Sequence, residues 1–350
     1  MRHLLYLWLG GLLIACETAV EVDIPRNPTQ LTVNGLFNPD SVWQVELTQN
    51  RYILDNAPFA SVPDAEVRVL QDGRTTLMLD YVGDAPFTGN SIYRAESSYP
   101  QSGEEYTLEA THPTLGDLVA YSRVPPAPTP IISAVWDTLD VREEAELAQF
   151  DEVAYGVTIC LKDPPEENFY SLSLIVRNNF VFLRDIDDDG EQELVVRRNE
   201  LIQEAGIQSD DPITKNPFNR YASELLFKDV SFNGQEYQLK FYMQQFIGVS
   251  GGVSTFLDYA TKDFYVLDEE VYDLQGNIVF GAEETFPSYE LFALLRTTTE
   301  EYYNYNTTRD LQASVENNPF AQPVQVYDNV EGGLGTFAGY NQTEKELTIK

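Results

Sequence analysis

Cysteine and histidine are scarce in this chain of 350 residues, with only two of each: Cys16 and Cys160, His3 and His112. No disulfide framework can be built from so few thiols. A zinc site resting on one histidine and one spare cysteine would need two carboxylates that no spacing in the sequence supplies. A Ser-His-Asp device would have to use His112, which sits between Thr111 and Pro113 in an expected turn, and no nucleophile-elbow pattern accompanies it. Cationic side chains are scarce too, 22 Lys and Arg against 56 Asp and Glu, for a net charge of -34. That excess repels phosphate backbones and anionic lipid, so nucleic acid is not expected as a partner; cations are the natural counter-partners. The N-terminal apolar run, Leu4 to Ala15, falls short of the roughly 20 residues needed to span a bilayer.

That short run carries the clearest signal. Arg2 supplies a charged start, and the run closes on Leu13-Ile14-Ala15-Cys16, which matches the lipobox cut by bacterial lipoprotein signal peptidase. The expectation is a signal peptide over residues 1–15 and a tether over 16–29. Cys16 would be lipidated and become the new N-terminus, so the mature protein is held to a membrane by its lipid and spans nothing. About 335 residues remain, with a net charge near -35. With Cys16 acylated, Cys160 in Val157-Thr158-Ile159-Cys160-Leu161 has no partner and reads as a small buried hydrophobe. Hydrophobic content of 43%, with 21 Tyr and 19 Phe, indicates a packed core.

From Gln30 to Val124 short alternating segments are split by turn residues. Leu31–Phe37, Val42–Leu47, Ala65–Leu70, Thr76–Tyr81, Ser91–Ala95, Glu105–Ala110 and Leu118–Ser122 read as seven strands, with Gln71-Asp72-Gly73 as a turn. The pattern predicts an immunoglobulin-like or transthyretin-like sandwich over 30–124, without the Cys and Trp pairing of antibody domains. Four prolines in Val124–Pro130 mark a stiff linker at 125–130. A larger β-rich domain with one or two helices is expected over 131–350. Its strands include Ile131–Leu139, Val153–Lys162, Phe169–Leu183 and Tyr289–Leu295, and a hairpin is expected at Asn233-Gly234 between Leu225–Phe232 and Glu236–Tyr242. The best helix runs from Thr298 to Ala313, capped by Thr297 or Thr298, with Glu300 and Glu301 in its first turn.

Several segments together resemble a known family. Leu31-Thr32-Val33-Asn34-Gly35, Val62-Pro63-Asp64-Ala65-Glu66-Val67 and Val124-Pro125 carry part of the likeness. The tail is more specific: Asn318-Pro319-Phe320, Gln322-Pro323-Val324 and Asn329-Val330-Glu331-Gly332-Gly333-Leu334-Gly335-Thr336-Phe337-Ala338-Gly339-Tyr340. These resemble the Bacteroidota lipoproteins grouped as domain of unknown function 4249, over nearly the whole mature chain. The resemblance implies an outer-membrane or surface lipoprotein, often encoded near TonB-dependent transporters, with no established activity and no site residues to carry over. Glu17, Glu21 and Asp23 after the lipidated position resemble acidic export tags and favour the cell exterior.

Asp185-Ile186-Asp187-Asp188-Asp189-Gly190-Glu191-Gln192-Glu193 is the sharpest local motif. Carboxylates at alternate positions around a glycine turn are how calcium loops gather oxygens. Asp185, Asp187 and Asp189 would be side-chain ligands, Glu191 would give its carbonyl, and Glu193 would bind directly or through water. The twelfth position is Val196, so an EF-hand lacks its bidentate carboxylate, and flanking strands suit a hairpin tip. Structural calcium and a solvated Asp-Gly turn both remain open; no other cofactor is indicated. Gly248–Val253 and Gly332-Gly333-Leu334-Gly335 lack the Lys-Ser/Thr pair of phosphate loops and read as bends. Gly332, Gly333 and Gly335 can also let a partner's backbone approach. Tyr302 and Tyr305 share a helix face and are expected on the sheet, leaving Tyr303 as a possible partner contact.

No catalytic residue is nominated. The leading reading is a non-enzymatic binding or accessory lipoprotein at the outer membrane, partnering a TonB-dependent transporter or an extracellular ligand that the sequence does not identify. A surface glycan hydrolase using an unassigned carboxylate pair and a structural or adhesive envelope protein are the alternatives.

Overall fold

The computed structural model describes residues 28–52, 60–86, 88–139, 154–184, 193–204, 207–209, 211–214, 224–243, 264–267, 270–273, 278–281, 285–315, 322 and 324–349. The first part holds seven strands, close to where alternation places them: β1 (Leu31–Phe37), β2 (Gln44–Gln49), β3 (Glu66–Gln71), β4 (Arg74–Asp84), β5 (Ser91–Arg94), β6 (Glu105–His112) and β7 (Gly116–Arg123). Every second residue of β1, Leu31, Val33, Gly35 and Phe37, faces inward and is buried. Asp72 and Gly73 have φ of 52° and 69°, so both central residues of the β3–β4 turn are left-handed, as the twist of a two-residue hairpin requires.

The second part comprises β8 (Ile131–Leu139), β9 (Ala154–Lys162), β10 (Phe169–Arg184), β11 (Glu193–Glu204), β12 (Ile207–Gln208), β13 (Glu224–Lys228), β14 (Glu236–Met243), β15 (Phe264–Leu267), β16 (Glu270–Asp273), β17 (Ile278–Gly281) and β18 (Thr285–Thr298). Helix α1 (Glu300–Val315), β19 (Val330–Glu331), β20 (Leu334–Glu346) and β21 (Thr348–Ile349) follow. The protein is therefore mainly β with one helix among the described residues, as expected. No helix among them is long and apolar enough to cross a membrane.

Two cores lie on either side of the proline segment. The first packs Leu31, Trp43, Leu47, Val67, Tyr93, Leu108 and Leu118 between the faces of the N-terminal strands. The second lies between a five-stranded sheet, ordered β12-β14-β9-β8-β21, and the β13, β10 and β18 part of the large sheet, where Ile159, Leu161, Tyr170, Leu172, Phe227, Leu239 and Leu295 meet. Val330 and Phe337, from the last segment of the chain, belong to the first core and not the second.

The expected hairpin at Asn233-Gly234 does not form. β13 pairs antiparallel with β10 and β14 with β9, so the two strands lie in different sheets. The buried carboxylate of Asp229 accepts the Asn168 amide at 2.9 Å, pulling the chain out of the strand, and Phe232 then drops into the second core. Gly234, with φ of 73°, completes a crossover between sheets.

The helix begins two residues later than expected, at Glu300 in place of Thr298. Thr297 and Thr298 are still paired in β18 with Asn341 and Tyr340, which leaves Thr299 to cap: its carbonyl accepts the Tyr303 amide at 3.2 Å. The buried pair on α1 is Tyr302 with Asn306 at i, i+4, in place of Tyr302 with Tyr305.

β20 joins the two parts. Leu334 to Gly339 pair parallel with β1, and Tyr340 to Glu346 pair antiparallel with β18. β19, two glycines upstream, pairs with β7. Around the N-terminal strands the order is therefore β20-β1-β2-β5-β4-β3-β6-β7-β19, beginning and ending on the two arms of one tail hairpin.

Candidate functional site

Where the two parts meet, a groove of about 730 Å³ opens. One wall is the sandwich: the Asp72-Gly73 turn, Glu105, Tyr106 and Thr107 of β6, and Tyr121, Ser122 and Arg123 of β7. Pro125 and Pro126 lie between the walls, fixed in extended backbone by their rings. The opposite wall is Glu166 to Phe169 leading into β10, with Thr298 to Glu301 at the start of α1. Six carboxylic residues, Asp72, Glu105, Glu166, Glu167, Glu300 and Glu301, face one guanidinium, Arg123, so the groove favours cationic or hydrogen-bond-donating groups.

The tail strand holds both walls. Gly339 donates its amide to Ser122 Oγ at 3.3 Å and accepts the Thr299 amide at 3.2 Å through its carbonyl. Asn341 donates to the Pro125 carbonyl and accepts from Ser102 Oγ at 3.2 Å. Asn329 donates to the Tyr121 carbonyl at 3.0 Å and to the Phe337 carbonyl at 2.8 Å, while its Oδ1 accepts the Phe337 amide at 3.0 Å. One amide side chain thus stands in for a strand residue between β7 and β20.

Beneath the helix a polar network ties α1 to the sheets. Tyr302 donates to Glu224 Oε1 at 2.9 Å, Ser171 donates to the same oxygen, and Arg296 Nη1 lies 3.6 Å from it. The Arg296 guanidinium also lies over the Tyr340 ring at 5.3 Å, and Tyr340 accepts from Asn38 Nδ2 at 2.7 Å. Burial pushes the Tyr302 and Tyr340 hydroxyls above the usual phenol range, so both stay protonated. A second knot sits at the linker: Tyr170 donates to Asp163 Oδ1, the Gly234 amide to Asp163 Oδ2 at 2.7 Å, and Thr129 shares the Tyr170 hydroxyl at 3.1 Å. Burial raises the Asp163 carboxyl above the ordinary value.

The residues read from sequence fall in different places. Cys16, Asp185, Asp187, Asp189, Glu191 and the Gly248–Val253 stretch lie outside the described residues; Glu193 opens β11, paired with Arg184. Tyr303 packs on Phe169 with ring centroids 5.4 Å apart, and Lys228 Nζ lies 4.8 Å and 4.7 Å from the two centroids, next to the groove. Gly332, Gly333 and Gly335 do permit close approach, and the backbone approached is the chain's own. A Cβ on them would stand 2.4 Å from Asp117 O, 2.8 Å from Leu31 O and 1.9 Å from Val33 O. His112 Nδ1 accepts the amides of Thr114 and Leu115, both at 3.2 Å, closing the β6–β7 turn. Cys160 is free but half-buried rather than enclosed, and burial raises its thiol.

Sequence reasoning missed the groove because its carboxylates come from four separate segments, each an ordinary turn, strand start or helix start. Among the described residues no three His, Cys, Asp or Glu side chains gather closely enough to hold a metal ion. The groove acids act as a spread field, not as a cage.

A family model, domain of unknown function DUF4249, matches residues 17–346. The chain belongs to the DUF4249 family. The match runs through both cores and ends at Glu346, the last residue of β20, so the joining strand is inside the DUF4249 region. Comparison with curated proteins gives no match.

Proposed function

We propose that this DUF4249 chain is a membrane-tethered, non-enzymatic binding or accessory protein whose acidic groove takes a basic segment of its partner. The observation that carries this is the groove itself: a fixed cleft between two cores, with six carboxylates against one arginine and aromatic side chains Tyr106, Tyr121 and Phe169 among them. A pre-formed cleft spares the ordering cost of binding, and aromatics interspersed with carboxylates suit lysine- or arginine-bearing chains. Lipidation at Cys16 supplies the tether, the acids of the following segment favour the outer face of an outer membrane, and a TonB-dependent transporter is the partner the family resemblance favours.

The test is recovery of partners from native membranes in mild detergent using the tagged full chain. A transporter is expected with the wild type and lost with the triple variant Glu105→Gln, Glu300→Gln, Glu301→Gln, which keeps side-chain size and should cost only about 1 kcal/mol of stability from the two first-turn acids of α1. Isolation of the wild type as a lone species, or equal recovery with the variant, contradicts the reading. Cys16→Ser should abolish membrane fractionation; membrane retention of that variant removes the tether.

A further inference from the structure

We infer that the gap between the β1 and β7 edges is a strand-accepting slot, filled by the chain's own β19–β20 hairpin and matched in shape to the same segment of a second copy. Without that hairpin the nine-strand order loses both ends, and β1 and β7 become open edges with unpaired amides and carbonyls. The hairpin supplies a six-residue parallel register from Thr32↔Leu334 to Phe37↔Gly339, together with the β19 pairing to Val119 and Ala120. This is recognition by strand addition: backbone bonds give affinity, and a pocket gives specificity. The pocket is taken by Phe337, 0% exposed, its ring 4.5 Å from Phe37 and 6.3 Å from Trp43.

The slot also rejects most sequences. Any side chain at 332, 333, 335 or 339 would strike the carbonyl oxygen of Asp117, Leu31, Val33 or Arg123, at 2.4, 2.8, 1.9 and 2.1 Å for a Cβ. An occupant therefore needs Gly-Gly-x-Gly-x-Phe-x-Gly, and the chain carries that spacing in its own tail. Every copy consequently holds both the slot and the segment that fits it. Because β1 lies near one end of the chain and β20 near the other, the slot stands open in any molecule whose tail has not yet docked. A neighbour's tail can then enter it, giving a closed, strand-exchanged dimer.

The test uses the full chain carrying Gly335→Val and Gly339→Val, which keeps the slot but bars its own tail, and a labelled synthetic peptide of residues 327–346. The variant should bind the peptide one to one, and a Phe337→Ala peptide at least about 100-fold more weakly. Wild type should take up none, its own tail being at high effective concentration. Equal binding of both peptides, or none by a folded variant, overturns the inference. Should the variant not fold alone, wild type with a protease site inserted within 316–323 is cut, unfolded and refolded with excess labelled peptide. Uptake of the label supports the slot; refolding to an unchanged melting temperature without either tail or label overturns it.

Discussion

Gly335 crosses Val33 so closely that a Cβ on the glycine would stand 1.9 Å from the Val33 carbonyl oxygen, and its φ of 115° is one that side chains rarely adopt. Steric clash and backbone strain act at one position. Gly335→Ala should cost about 2–5 kcal/mol, the sum of an overpacking and a strain contribution. Gly116→Ala is the control: its φ is also positive, at 86°, but nothing lies within 4 Å of the added carbon, so about 1 kcal/mol is expected. Urea unfolding midpoints of the two variants compare them directly, and equal midpoints would mean that the contact with β1 contributes nothing.

Phe337 is the apolar anchor of the same strand, stacked on Phe37 and fully buried in a core that, Val330 apart, is otherwise built from residues before the proline segment. Phe337→Ala should destabilise by about 3–5 kcal/mol, with Phe337→Leu costing less because most of the volume is kept. If the N-terminal core were self-sufficient, spectroscopic signals from Trp43, which packs there, would melt unchanged in the alanine variant.

Asn329 bridges β7 and β20 through three hydrogen bonds, two donated and one accepted. Asn329→Asp keeps the shape and removes both donors, leaving the Tyr121 and Phe337 carbonyls facing a carboxylate. A loss of about 1–3 kcal/mol follows, measured by chemical denaturation near neutral pH. The loss should shrink in acid as the new carboxyl regains a proton.

The strands were legible because burial on one face writes itself into alternation: Ile131–Leu139 is a strand with the bounds its sequence suggests, and Asp72-Gly73 marks its turn through φ alone. Asn233-Gly234 carries an equally strong local signal and misleads, because Asp229 and Phe232 decide which sheet the following strand joins. In Thr297-Thr298-Thr299 three chemically equal caps compete, and strand pairing to β20 selects the last. The tail glycines read as bends or approach points; what approaches them, β1 and β7, is a pairing between distant parts of the chain with no local pattern. The groove was illegible for the same reason.

Asp163 gives a pH dependence of defined sign. Burial raises its folded carboxyl above the ordinary 3.8, so the folded state keeps this proton over a range where the unfolded chain has released it. Its contribution is complete below the ordinary value and is lost as pH climbs through the folded value. The stability of wild type minus that of Asp163→Asn should therefore fall as pH rises through and above the ordinary 3.8, in unfolding series at matched ionic strength. A difference that grows with pH would contradict the raised carboxyl.

The central claim is that the tail strand pairs with both parts, completes the first core and holds the walls of the groove. Native-state hydrogen exchange, resolved by residue, tests it most directly. Amides of Val33, Gly35 and Leu36 in β1 and of Phe337 to Gln342 in β20 should exchange together, through the same global opening as Leu108 and Leu172 in the two cores. Early exchange of β20 as a frayed end, with β1 and both cores still protected, would contradict it.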